Sequence, residues 1–329
     1  MATPKEGVQG SYDPTRPGAR VLFIGGSGRS GSTLLDLMLG QVPGAWPVGE
    51  LSYVWLRGLR ENELCGCGEP FLRCPFWSQV GLEAFGGWER LDPGECLRLR
   101  ASVDRVRYIP LMVTPGTSTA YQRRLARYAR LMQALYGAIH RVSGTSVIVD
   151  STKHVSTAFL LRRVPGLDLR IVHLVRDSRG VAHSWTKEMR KPEVVGGEAY
   201  LDTYRPARMG ARWLTYNLLF HALRADPGIP SELVRYEDLI RRPMSTARRV
   251  FDLASLPVSD EDVAWLREGW VPIEAEHTIA GNPMRFQHGR MPLRLDEKWR
   301  HSMEPRDRYV VSVVTSPLLL RYGYLHRQF

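Results

Sequence analysis

Lysine is scarce in this 329-residue chain: only five of its 45 basic residues are lysine (Lys5, Lys153, Lys187, Lys191, Lys298), the rest being arginine. Each lysine that is present therefore draws notice. Cysteine is equally sparse, at four residues, and with no export signal visible this points to a reducing compartment rather than a disulfide framework. No apolar run reaches the length of a membrane span, and the first twenty residues, rich in Gly, Pro and charge, read as a loose arm rather than a signal peptide or anchor. A soluble cytoplasmic protein is the expectation. Repeats and low-complexity blocks are missing, so solenoids and disordered scaffolds are excluded. The net charge of +11 is dispersed along the chain without a recognisable nucleic-acid module, which favours an anionic small molecule over DNA or RNA.

What the chain does have is a phosphate-binding build at Val21–Leu39, "VLFIGGSGRSGSTLLDLML". A short buried strand, a glycine-rich turn and a helix in that order put backbone N–H groups and the positive end of a helix dipole around one anion. Gly26, Gly31 and Thr33 match G-x-x-x-x-G-K-[S/T], except that Ser32 stands where nucleoside triphosphates require lysine. The nearest cation is Arg29, inside the loop. An arginine there opposes the dipole unless an anion is present.

Further short apolar strands are expected over 146–150, 169–175 and 232–236, with helices over 32–39, 121–141, 155–163, 178–189, 206–224, 243–254 and 305–320. This alternation predicts an α/β fold: a single P-loop-type domain from residue 21 onward, its central parallel sheet covered by helices on both faces. Residues 43–120 read as an irregular insertion that shapes the acceptor site. Within it, Cys65, Cys67 and Cys74 could bind zinc with a fourth ligand from elsewhere, but they lack paired C-x-x-C knuckles; the preferred reading is a turn packing Phe71, Phe76 and Trp77 onto the core.

In such sheets ligands lie beyond the carboxyl ends of the strands. The residues there are the glycine loop, then Lys153 and His154, then "RDSRGVAHSW" beginning at Arg176 and reaching Ser184, then Tyr236. Asp177 is expected to pair with Arg176 and cap the next helix.

The combination of S-G-R-S-G-S-T-L, R-D-x-R-x-x-x-H-S and R-Y-E-D-L resembles the sulfotransferase family, which uses 3′-phosphoadenosine 5′-phosphosulfate (PAPS). The resemblance runs from Val21 to about Trp299 and lies nearer the tyrosylprotein and bacterial carbohydrate branch than the aryl branch, whose loop usually carries lysine in place of Arg29. It implies PAPS as co-substrate and its product, adenosine 3′,5′-bisphosphate (PAP). It also implies that Gly28, Arg29, Ser30, Gly31, Ser32 and Thr33 hold the 5′-phosphate, Arg176 and Ser184 the 3′-phosphate, and that Tyr236 lies toward the adenosine. "HTIAGNPMRFQHG" is similar to the loop that closes over the nucleotide, with Arg285 as its cation.

For the chemistry, the resemblance makes Glu50 the first choice of base, with His154 as the rival, and Lys153 the partner of a bridging or sulfuryl oxygen. With no carboxylate cluster, no metal is expected in the reaction. Carbohydrate, lipid, phenol and natural-product hydroxyls all remain open as acceptors. Two other classes share parts of the pattern. A P-loop kinase or nucleotidase would need a lysine near Ser32 and an acid for magnesium. A non-catalytic PAP-binding protein would keep Arg176 and Ser184 and dispense with Glu50, Lys153 and His154.

Overall fold

The structure, a computed structural model, describes residues 18–325 apart from 115, 117, 189–199 and 201. Most of the expected N-terminal arm, Lys191 and the end of the expected helix 178–189 lie outside the described residues. Five strands, β1 (Arg20–Gly26), β2 (Ala45–Gly49), β3 (Val147–Lys153), β4 (Asp168–Val175) and β5 (Ser231–Arg235), form one parallel sheet in the order β2-β3-β1-β4-β5. The register sets Val21 beside Ile148 on one side and Leu169 on the other. A separate antiparallel pair, β6 (Trp270–Ile273) and β7 (Gly289–Pro292), follows.

Alternation along β1 explains why both faces are covered. Val21 and Phe23 enter one core with Ile148, Ile171 and the helix Thr119–Ser143, while Leu22 and Ile24 enter another with Val149, Val172 and the helices Ser32–Gly40 and Pro243–Ala254. Successive strand residues point to opposite faces, so a strand apolar at every position needs a layer on each side. The helices Pro206–Arg224, Pro243–Ala254 and Pro305–Arg321 each begin on proline, where a missing N–H costs no hydrogen bond. Among the described residues no helix is long and apolar enough to cross a membrane.

The segment 43–120 departs from the expected irregular insertion. Ala45–Gly49 is an edge strand of the main sheet, pairing Ala45 with Val147. A π-helical turn (Val54–Arg60) and the helices Pro75–Phe85 and Pro93–Val103 follow. Their side chains Trp55, Phe71, Trp77 and Trp88 are buried in the same core as Val21 and Tyr136. The indole of Trp55 donates to the Tyr128 hydroxyl at 3.0 Å, and that of Trp88 to the Trp77 carbonyl at 2.7 Å, so these large rings are buried with their polar atoms satisfied. Pro47 hides β2 from a sequence reading, because proline argues against a strand except at a sheet edge.

Candidate active site

Three strand ends deliver the chemistry. After β1 the chain turns through Gly28, Arg29 and Gly31 into the helix Ser32–Gly40. Arg29 (φ 69°) and Gly31 (φ 94°) are both left-handed. Gly31 must lack a side chain, since a Cβ there would come within 2.5 Å of the Tyr236 ring. No side chain caps this helix and its first turn carries no acid, which leaves its N–H groups facing the cleft as an anion site.

After β3, Lys153 is again left-handed (φ 71°). Asp150 builds that turn: fully buried, it accepts from the Thr152 N–H at 2.9 Å and from the Tyr136 hydroxyl at 2.6 Å. The Lys153 ammonium donates to the Ser151 carbonyl at 3.0 Å and lies 2.5 Å from Glu50 Oε1. The Glu50 carboxylate thus does not cap the turn that follows it; it faces Lys153. Behind them Asp36 is buried, and that burial pushes its pKa up to about 8, with the Lys153 charge opposing.

After β4 comes Arg176, 7% exposed. Its guanidinium donates to the Arg29 carbonyl (3.2 Å) and to the Asp296 carbonyl and carboxylate (2.8 and 3.1 Å), and lies 4.6 Å from the Tyr236 ring centre. Burial works against the Asp296 charge, yet Arg176 holds its pKa below the usual carboxylate range. Asp177 pairs with Arg179 at 2.7 Å and accepts from the Arg179 N–H, so it caps the helix Ser178–Ser184 as expected but with a different arginine.

These groups open into one cleft of about 560 Å³. Of the residues singled out from the sequence, Gly28, Arg29, Gly31, Ser32, Thr33, Glu50, Lys153, His154, Arg176, Ser184 and Tyr236 line it. Ser30 is buried and is not among the lining residues. Arg285 is a correction: it is 3% exposed and lies off the cleft, donating to the Thr278 and Leu64 carbonyls at 2.8 Å each. Its two bonds to backbone carbonyls tie two segments of the chain together.

The cleft also contains residues the sequence did not single out. Trp185 stacks on the Arg29 guanidinium at 4.9 Å and donates to the Gly28 carbonyl at 3.2 Å, fixing the loop from outside. Tyr53, Arg57, Tyr204, Arg212 and Tyr216 also line the cleft, Tyr204 edge-on to Trp185 at 5.3 Å. His154 is half-buried, edge-on to Tyr53 at 5.8 Å; burial first, then the charges of Arg100 and Lys153, holds its pKa down to about 3. Only Trp185 carried a signal, as the residue after Ser184 in the quoted motif.

The sulfotransferase family model matches residues 22–260, and the chain belongs to the sulfotransferase family. Mouse carbohydrate sulfotransferase 3 is 28% identical over 169 residues, covering 49% of this chain and 34% of that protein. Human carbohydrate sulfotransferase 2 is 31% identical over 139 residues, covering 31% and 25% respectively. The chain thus spans about a third or less of the length of these curated relatives. Among solved structures, the sulfotransferase domain from the Synechococcus PCC 7002 olefin synthase is 22% identical with a TM-score of 0.49, over 94% of this chain and 98% of that one.

Proposed function

We propose that this chain transfers a sulfuryl group from PAPS to a hydroxyl of a carbohydrate acceptor. The observation that carries the reading is the Lys153–Glu50 pair at 2.5 Å, lining one cleft with the glycine loop, Arg29 and Arg176. A loop without the triphosphate lysine suits a donor with a single phosphate before its sulfuryl group. The uncapped helix start and Arg29 supply the 5′-phosphate contacts, and Arg176 with Ser184 supplies those for the 3′-phosphate.

In the transfer, the acceptor oxygen attacks sulfur, the bond from sulfur to the phosphate oxygen breaks, and the acceptor proton passes to Glu50. Negative charge then grows on the leaving oxygen, where Arg29 and Lys153 stabilise it. Lys153 changes partner as this happens, from the carboxylate that is becoming neutral to the oxygen that is becoming charged. Glu50 is favoured over His154 because burial, and after it the cations around that imidazole, suppress its basicity.

Two features favour a sugar, and an acidic one. The tyrosines Tyr53, Tyr204 and Tyr216 bring aromatic surface to the cleft for the C–H face of a pyranose ring, and Arg57 and Arg212, stacked over Tyr53 and Tyr216 at 4.9 and 5.0 Å, bring charge for carboxylate or sulfate groups. The carbohydrate sulfotransferases among the relatives agree with this choice. The test is incubation with labelled PAPS and a panel of neutral sugars, acidic sugars, phenols and lipids, read by mass spectrometry for an added sulfuryl group. Transfer to acidic sugars above the rest supports the reading. Transfer to phenols alone would overturn the acceptor class, and no transfer despite tight PAP binding would leave only a nucleotide-binding role.

A further inference from the structure

Away from the cleft, Cys65, Cys67 and Cys74 converge with His277, which lies 203 residues beyond Cys74. Their ligand atoms all lie within 4.8 Å of one another. Cys67 and Cys74 Sγ are 3.7 Å apart, and His277 Nδ1 is 3.2 Å from Cys74 Sγ and 3.9 Å from Cys65 Sγ. A tetrahedral zinc with ordinary zinc–sulfur and zinc–nitrogen bonds separates its ligand atoms by roughly 3.5–3.8 Å. A disulfide would need the sulfurs to close to about 2.05 Å, far inside the observed spacing.

We infer that Cys65, Cys67, Cys74 and His277 bind one structural zinc ion. On binding, three thiols release their protons to solvent and the imidazole ligates as the neutral ring through Nδ1, so the filled site carries one net negative charge. Four protein ligands leave no open position, which makes the ion structural and keeps it out of the transfer chemistry.

The surroundings are built to hold these ligands. The His277 ring stacks on Phe76 and Trp46, with interplanar angles of 21° and 17°, and its carbonyl accepts from the Trp77 indole at 3.0 Å. Cys65 and Cys74 are buried and Cys67 is half-buried. The Gly66 N–H donates to the Thr278 carbonyl at 3.0 Å, pairing the two ligand-bearing segments directly. Arg285 bonds the carbonyls of Leu64 and Thr278, the neighbours of Cys65 and His277, and so brings a positive charge to the segments that carry a net anionic site.

The clip also reaches the cleft. Two residues after His277, Ile279 exchanges backbone bonds with the end of β2: its N–H donates to Val48 at 2.9 Å and its carbonyl accepts from Glu50 at 2.8 Å. The ion therefore fixes the segment against which Glu50 is set. The inference itself stands apart from the transferred group, because metal content is read without any assay of turnover.

The experiment is elemental analysis of the gel-filtered full-length chain, followed by removal of metal and titration with zinc alone and with cobalt alone. The wild type should carry about one zinc per chain, and cobalt should give the visible bands of a tetrahedral, thiolate-bound ion. Cys67→Ser should weaken zinc binding by more than the roughly 10–100-fold typical of outer contacts, whereas Cys96→Ser, outside the cluster, should keep the full content. Cys67 is the variant of choice because its half-exposed side chain is replaced with little harm to packing, and the cobalt spectrum of the wild type decides the matter if it misfolds. Metal content well below one and no tetrahedral cobalt spectrum would overturn the inference. So would equal zinc in Cys67→Ser and wild type, or a Cys67–Cys74 disulfide in the native protein.

Discussion

The two walls of the cleft are put together in different ways. On one wall the groups proposed to meet the donor follow directly from strand ends: the glycine loop from β1, Lys153 from β3 and Arg176 from β4. Their positions are fixed by the hydrogen-bond ladders of three adjacent strands at the centre of the sheet. On the other wall, Tyr53 ends the 3₁₀ turn Leu51–Tyr53, Arg57 lies in the π-helical turn that follows, Tyr204 precedes the helix Pro206–Arg224, and Arg212 and Tyr216 lie on that helix. Their positions are fixed by side-chain packing between segments distant in sequence. A wall made by the sheet tolerates little change; a wall made by packed side chains can be altered without rebuilding the fold, which suits the acceptor side proposed for it.

The largest expected effect lies where the walls meet. Glu50→Gln keeps the shape of the carboxylate but loses its capacity to take a proton, and turnover should fall by roughly 10²–10⁴-fold while PAP affinity holds. Lys153→Ala should lower turnover in the same direction, and His154→Ala much less. Single-turnover transfer at saturating PAPS, beside PAP titrations, checks all three. Collapse in His154→Ala with near-normal transfer in Glu50→Gln would exchange their roles.

Next in size is Arg285→Met, which removes two buried charge-assisted bonds and should cost on the order of 2–4 kcal/mol in denaturant unfolding. PAP affinity should not move. A weakened PAP affinity with intact stability would return Arg285 to the nucleotide. A smaller effect separates donors: PAP should bind more tightly than AMP by roughly 1.5–3 kcal/mol, for the charge-assisted contacts to the 3′-phosphate. Calorimetry giving equal affinities would detach Arg176 and Ser184 from that role.

A pH dependence gives a further test. Asp36 binds its proton up to about pH 8 in the folded chain but releases it near pH 4 when unfolded. The native state therefore holds more protons across that window, and the contribution of Asp36 to stability falls as pH rises, by up to about 1.4 kcal/mol per pH unit. Asp36→Asn should flatten the decline between those limits in urea unfolding. An unchanged slope would mean that Asp36 is ionised in the folded protein.

Most of what strand ends determine was legible in the sequence, because the glycine loop, Lys153, Arg176 and Ser184 sit in short local patterns. β1, β3 and β4 were legible for the same reason, through their runs of apolar residues, and β5 through Leu233 and Val234 just before the R-Y-E-D-L pattern. β2 was not, since Pro47 argues against a strand unless its place at the edge is known. The helices of 43–120 are short and interrupted; Trp77 was expected against the core, but only packing reveals that Trp55 and Trp88 join it there. His277 shows the limit most sharply. It opens the run in which Arg285 was assigned to the nucleotide, while its cysteine partners lie 203 residues and more away, and no local spacing joins them. Asp177 chose Arg179 over Arg176 because Arg176 is already engaged by Asp296, again a partner far along the chain.

Arg29 and Lys153 share one further property: each places a long cationic side chain on a left-handed backbone, which costs roughly 1–2 kcal/mol that glycine would not incur. Replacing either by glycine relieves that cost and at the same time removes a charge proposed to meet the leaving phosphate. Selection for heat resistance alone would therefore reward sequences that have lost the reaction at these two positions. A stabilised catalyst built on this chain has to hold both residues fixed and seek its gains elsewhere.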